Sequence, residues 1–235
     1  MSDKIGTDIV MLLFPGFNAL DLVGPMVVMS AMPDARIHLV WKTLDPVRND
    51  RGIGMLPTAT FANALRPGIL FVPGGTMGVL DQMEDSETLD FLRNKAEQAD
   101  YVTSVCTGSL ILGAAGLLDG YRAATHWTTR ELLADLGAIP CADRVVRDRN
   151  RISGGGITAG IDFGLAIAAL LHGDERAKAI QLALEYDPAP PFDTGTPEKA
   201  GEALTGAVKA RFGPFIERAG QVARKVGGAR HRRPE

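Results

Sequence analysis

Tyr101-Val102-Thr103-Ser104-Val105-Cys106-Thr107-Gly108-Ser109 is the stretch on which the fold turns. Tyr101 to Val105 is β-branched or aromatic at most positions and predicts a short buried strand. The apolar run Leu110-Ile111-Leu112-Gly113-Ala114-Ala115 directly behind it predicts a helix. Cys106 therefore stands where a strand bends sharply into a helix, and the small residues Ser104 and Gly108 on either side permit the bend. Serine hydrolases present their nucleophile on the same kind of turn, with glycine at both flanks. Free N–H groups at a helix start favour thiolate over thiol, so Cys106 is expected to be the only reactive thiol, with a pKa in the range of roughly 3.5–7.5. The plainer alternative is a buried structural cysteine at a strand end.

The segments upstream follow the same grammar. Asp8-Ile9-Val10-Met11-Leu12-Leu13-Phe14 is a continuous apolar run, as expected of a central parallel strand buried on both faces. Pro15-Gly16 ends it, Asn18 suits an N-cap, and a helix is predicted over about residues 19–30 despite Pro25. Asp21 falls in the first turn. There it complements the helix dipole, or it points into the crevice where α/β folds bind ligands; the residues alone leave both open. Residues 36–41 predict a second strand, 45–60 a short hairpin, and 68–72 the next central strand. Pro73-Gly74-Gly75-Thr76-Met77-Gly78 follows, offering backbone N–H groups as an anion or oxyanion nest, or simply a turn. A helix over about 86–98 leads into the Cys106 unit.

Downstream, residues 120–127 predict a strand ending in Ala124-Thr125-His126-Trp127. His126 is placed to approach Cys106, or is a satisfied structural histidine. Thr128 is expected to cap a helix to about residue 136. Cys141 lies in a loop with no visible activating group and reads as structural. Residues 144–146 and 151–153 frame a turn at Asp148-Arg149-Asn150. Gly154-Gly155-Gly156 precedes an apolar helix to about His172 and implies tight packing against backbone or ligand. A helix over about 174–186, an extended proline-rich stretch over 187–192 and a last helix over about 197–211 complete the pattern. From Phe212 the chain turns basic, ending Arg230-His231-Arg232-Arg233, and reads as a solvated tail.

The 235 residues, 46% hydrophobic and 23% charged, suit one large α/β domain over residues 1–211, followed by a basic C-terminal extension over 212–235. A net charge of −3 with no basic stripe over most of the chain argues against nucleic acid. No apolar run reaches membrane-spanning length and the N-terminus lacks a signal-peptide core. Two cysteines and four scattered histidines give neither a disulfide framework nor zinc spacing. A soluble cytoplasmic protein is expected.

Alternating strands and helices imply a flavodoxin-like α/β sandwich, with a mostly parallel central sheet and helices on both faces. A cysteine at a strand–helix elbow, Pro-Gly-Gly one strand earlier and an acid after the first strand together resemble the DJ-1/PfpI superfamily, over about residues 7–210. Phe14-Pro15-Gly16 with Leu20-Asp21, Cys106-Thr107-Gly108, Ala124-Thr125-His126-Trp127, the run from Gly154 to Asp162, and Glu185-Tyr186-Asp187-Pro188-Ala189-Pro190-Pro191 look most similar to its isocyanide-hydrating branch. The resemblance implies Cys106 as nucleophile, Asp21 as acid and Thr107 beside the nucleophile, where peptidase-like and deglycase-like relatives usually carry His. It implies substrate contacts from the Gly75 backbone N–H, Gly155, Ile157 and His126, a homodimer, and no metal or organic cofactor. The implied reaction adds water to an isocyanide through a thioimidate on Cys106 and releases an N-substituted formamide. Competing expectations are a glyoxalase- or deglycase-like activity on α-oxoaldehydes, and a redox sensor in which Cys106 is oxidised. A third is the ligand-sensing domain of a transcription regulator; about two dozen residues beyond the last predicted helix are too few for a helix-turn-helix module.

Overall fold

A computed structural model describes residues 7–230. The chain runs β1 (Asp8–Leu12), α1 (Ala19–Ser30), β2 (Arg36–Trp41), β3 (Val47–Arg48), β4 (Gly54–Met55), β5 (Ala59–Thr60), β6 (Ile69–Val72), α2 (Met77–Glu84), α3 (Ser86–Gln98), β7 (Tyr101–Val105) and α4 (Gly108–Ala114). It continues β8 (Arg122–Ala123), α5 (Leu132–Asp135), β9 (Ile139–Pro140), β10 (Val145–Asp148), β11 (Arg151–Gly154), α6 (Ala159–His172), α7 (Asp174–Ala183), α8 (Pro197–Arg211) and α9 (Gly213–Arg230). Seven strands form the main sheet in the order β10-β11-β7-β6-β1-β2-β5. All pairs are parallel except β10 against β11, which is the hairpin around Arg149. Its central strands carry the apolar runs because both faces are covered: every residue of β6 is buried, as are Ile9 to Leu12 of β1. Helices α1, α6 and α7 pack together in one group, and α2, α3, α4 and α9 in another. The strand order reverses at β1, so the carboxyl ends of β1, β6 and β7 open onto the crevice where such sheets bind ligands.

Several elements differ from expectation. The Pro73–Gly78 segment feeds directly into α2, because Val79, Leu80 and Met83 bury one face of a turn that its glycines had obscured. The strand expected to end at Trp127 is only Arg122–Ala123; His126 instead caps a 3₁₀ turn over Trp127–Thr129, and the helix expected up to residue 136 shrinks to Leu132–Asp135. The helix expected to reach residue 186 ends at Ala183.

The largest correction concerns the basic tail. Residues 213–230 form α9, and Phe215, Ala219, Val222, Ala223 and Val226 recur on one face at helical spacing. Ala219, Val222 and Ala223 are buried; a fully buried valine alone contributes about 1.5–3 kcal/mol. The cations find partners: Lys225 Nζ lies 2.6 Å from Glu84 Oε1, and Arg230 donates to the carbonyls of Gly113 and Leu136 and pairs with Asp119. Residues 231–235, the end of the expected tail, lie outside the described residues. No described helix is long and apolar enough to cross a membrane.

Candidate active site

Cys106 occupies the turn between β7 and α4 with φ +54°, a region that residues with a Cβ rarely adopt. Its N–H donates to the Gly155 carbonyl at 2.7 Å and the Gly154 carbonyl at 3.1 Å, and its own carbonyl accepts from Thr125 Oγ1 at 2.8 Å. Behind it, Ser104 and Ser109 hydroxyls meet at 2.8 Å, and Ser109 Oγ donates to the Ala124 carbonyl at 2.6 Å. Gly108 must be glycine, since a Cβ there would sit 2.3 Å from the Val72 carbonyl oxygen. The elbow expected from sequence is thus built, and the strain of about 1–3 kcal/mol typical of such a conformation is held by neighbouring backbone.

Asp21 reaches the same point from α1. Capping falls to Asn18, whose Oδ1 accepts from the N–H groups of Leu20 at 3.1 Å and Asp21 at 3.3 Å. The Asp21 carboxylate is therefore free of that role. It is fully buried, and no N–H or O–H of the described residues reaches either oxygen. The group it interacts with is the Cys106 thiol. Gly74 separates them from the side: a Cβ at Gly74 would lie 2.6 Å from Asp21 Oδ2 and 2.7 Å from Cys106 Cβ.

Electrostatics follow from that burial. Desolvation raises the Asp21 carboxyl to about 7, opposed by the thiol hydrogen bond and helped by the negative Asp50. The Cys106 thiol is also pushed up, first by burial and then by the neighbouring Asp21 charge, against the pull of the Thr107 N–H. The sequence expectation of a lowered thiol pKa is corrected here. Cys106 is 4% exposed and α4 begins only at Gly108, so loss of water outweighs the helix start. Two acids so close titrate as a pair, and near neutral pH the pair passes to a state holding a single proton.

The other expected residues separate into those at the thiol and those that support it. A small cavity with about 50 Å³ of free space is lined by Asp21, Cys106, Thr107, Gly75, His126 and Ile157, bringing six of the seven candidates together. The Gly75 N–H, however, donates to Thr107 Oγ1 at 2.9 Å, while Thr107 Oγ1 donates to the Gly75 carbonyl at 2.7 Å. This amide is satisfied internally, so the nest acts first as a clamp that fixes Thr107 beside the thiol. Gly155 is not in that cavity; its carbonyl holds the Cys106 N–H, and its N–H donates to the Arg144 carbonyl at 2.9 Å. His126 accepts the Thr128 N–H on Nδ1 at 3.4 Å, and burial with the Arg130 charge lowers its pKa to about 4, so it is neutral above that.

Phe212 and Phe215, from the junction of α8 and α9, also line the cavity and were missed, because the basic residues after Phe212 drew attention away from an apolar helix face. Cys141 lies apart from the site, and a cation does approach it: Arg122 Nε is 3.3 Å from its Sγ, a partner that sequence had not shown.

Residues 7–170 match the model of the DJ-1/PfpI family. The isonitrile hydratase of Pseudomonas putida is 54% identical over 206 residues, 88% of this chain and 90% of that protein. Among solved structures, a THiJ/PfpI family protein from Pseudomonas syringae superposes with a TM-score of 0.91 at 46% identity, covering 94% of this chain and 93% of the other. Drosophila melanogaster DJ-1beta shares the fold with a TM-score of 0.67 at 20% identity, covering 77% of this chain and 98% of its own.

Proposed function

This chain belongs to the DJ-1/PfpI family, and from that premise we propose that it is an isocyanide hydratase, forming N-substituted formamides at Cys106. The observation that carries the reading is the buried Asp21 carboxyl, which no N–H or O–H of the described residues reaches and which meets the buried Cys106 thiol. The similarity to an isonitrile hydratase supports it. Isocyanide carbon accepts a nucleophile and then must be protonated, which asks for a thiol and a carboxyl acid in contact.

The one-proton pair performs that sequence in balance. Asp21 takes the thiol proton as Sγ bonds to the isocyanide carbon, and returns it to the same carbon, leaving a thioimidate on Cys106 and a carboxylate. Water then attacks this carbon; Asp21 accepts one water proton and passes it to the substrate nitrogen. Finally the C–S bond breaks, the remaining hydroxyl proton moves to Asp21 as the carbonyl forms, and the formamide leaves. Thr107 positions the sulfur, while the small cavity limits how many waters approach. With its pKa lowered to about 4, His126 is a weak base for the proton transfer at a neighbouring carbon that α-oxoaldehydes require.

Formamide formation from phenyl isocyanide, followed beside methylglyoxal consumption, tests the reading. Hydration with little methylglyoxal turnover is expected; methylglyoxal turnover without formamide would overturn it. The pair also sets a pH dependence. Below about 7 both groups hold protons and Asp21 cannot accept one, so kcat/KM is expected to rise with pH through about 7 and then level off. A profile flat from pH 5 to 8 would remove Asp21 from the proton path.

The same reading includes a homodimer, supported by family membership, and a cytoplasmic setting, which suits the free thiols of Cys106 and Cys141. Sedimentation at micromolar concentration should give twice the chain mass; a monomer would show that the family resemblance stops at the single chain.

A further inference from the structure

The residues lining the cavity at the thiol differ in how far they reach toward solvent. Asp21, Cys106 and Thr107 are buried, whereas Ile157 is 37% exposed and Phe212 and Phe215 are half-buried. The reacting pair therefore lies inward, and an apolar rim of Ile157, Phe212 and Phe215 stands between it and water. A carbon held at Cys106 Sγ and Asp21 fixes one end of the substrate. Because the unreacted C≡N–R group is linear, R continues outward past that rim. Resting on the isocyanide reading, we infer that Phe212 and Phe215 receive the N-substituent and make the site select bulky, uncharged hydrocarbon substituents.

Most of the polar lining is already paired and offers R little. Asn18 caps α1 through Oδ1, and its Nδ2 donates to Asp50 at 3.4 Å. Thr107 and Gly75 satisfy each other. Thr128 Oγ1 meets His126 Nδ1 at 2.7 Å. None of the described residues lining the cavity carries a positive charge at neutral pH, since His126 is neutral above about 4. A carboxylate on R would leave water without gaining a cation, and would be drawn toward the negative charge of the Asp21–Cys106 pair.

Both rings are positioned from α9. The Phe212 carbonyl accepts the Ile216 N–H at 2.9 Å, so the helical turn begins there, and the two phenylalanines, three residues apart, share a face. Ala219, Val222 and Ala223 bury α9 against the domain, while no residue of α8 before it is buried. The Phe212 ring lies 6.0 Å from that of His126. A half-buried aromatic ring loses more of its contact with water when an apolar group lies against it, and a polar substituent gives no such gain.

Steady-state kinetics with cyclohexyl, methyl and phenyl isocyanide and with 4-isocyanobenzoate test the inference. Cyclohexyl and methyl isocyanide both carry an alkyl group on nitrogen, so their ratio reports how R is bound. Cyclohexyl should exceed methyl in kcat/KM by about tenfold or more, mostly through KM, the scale of even one methylene in an apolar pocket. Phenyl isocyanide should exceed 4-isocyanobenzoate by about tenfold. Phe212→Ala and Phe215→Ala should each lower the cyclohexyl-to-methyl ratio by about threefold or more, and Phe215→Leu should keep most of it. A purely structural role would slow both substrates together and leave the ratio unchanged. The wild-type ratio needs no variant: a value near one, with formamide formed from both, overturns the inference and leaves the hydratase reading standing. A ratio that both alanine variants preserve overturns it too, as does 4-isocyanobenzoate hydrated as well as phenyl isocyanide. No formamide from any of the four compounds fails the hydratase reading, and this inference with it.

Discussion

Asp21→Asn is expected to lower isocyanide turnover by roughly 10²–10⁴-fold, the range for losing a general acid–base group. Asparagine keeps the size and polarity of the side chain but cannot carry a proton between sulfur, carbon and water. The thiol itself should remain able to react. The Asp21 charge is one of the causes that raise the Cys106 pKa, so its removal favours ionisation of the sulfur, and Cys106 should still be alkylated in the variant. The rise of kcat/KM near pH 7 should disappear from whatever rate remains. Asp21→Glu should also lose activity, because an extra methylene in a fully buried site moves the carboxyl off the carbon it protonates.

Stability separates this role from a structural one. The folded-state pKa of Asp21 is raised from 3.8 to about 7, so its contribution to stability is fully present below about 4 and is lost as pH rises through about 7. Asparagine has no such loss. Asp21→Asn should therefore melt close to wild type at pH 4 and above it at pH 8, by an amount reflecting on the order of a few kcal/mol. A well-folded variant that retained most of its turnover would sink the mechanism. One that melted well below wild type at pH 8 would make Asp21 a structural residue instead.

Cys106→Ala should lose still more, on the order of 10⁴-fold or beyond, since no other group in the cavity can form the covalent intermediate. Cys106→Ser should recover little of it, because a buried hydroxyl beside a carboxyl of pKa about 7 yields its proton far less readily than a thiol. The fold should survive either change. The hydrogen bonds that hold position 106 at φ +54° are made by its backbone, with Gly154, Gly155 and Thr125. Rapid quenching of wild type with phenyl isocyanide, followed by mass spectrometry, should find the added mass of the isocyanide on the peptide containing Cys106. Activity in Cys106→Ala above about a hundredth of wild type, with no adduct in wild type, would exclude the thioimidate route.

The pattern of strands and helices was legible because periodicity is local. The apolar runs at Ile9–Leu12 and Ile69–Val72, and the β-branched run before Cys106, name buried parallel strands wherever they fall. The elbow at Cys106 was legible too, since Ser104 and Gly108 leave space that larger residues would fill, and Asn18 announced the start of α1. What failed were elements whose local signals conflict. The glycines of 73–78 concealed α2, and the arginines and lysines after Phe212 concealed the apolar face of α9 that places Phe212 and Phe215 over the site.

By itself, then, the sequence determined the α/β order, the turn at Cys106 and six candidate residues that line one cavity. Only the tertiary structure decided how those residues behave. Thr107 satisfies the Gly75 amide that sequence had offered to substrate, and Gly155 serves the Cys106 backbone and does not line the cavity at the thiol. A pKa depends on what lies within a few ångströms in three dimensions. The start of α4 is a neighbour of Cys106 along the chain, whereas burial and Asp21, 85 positions away in sequence, push the thiol pKa up.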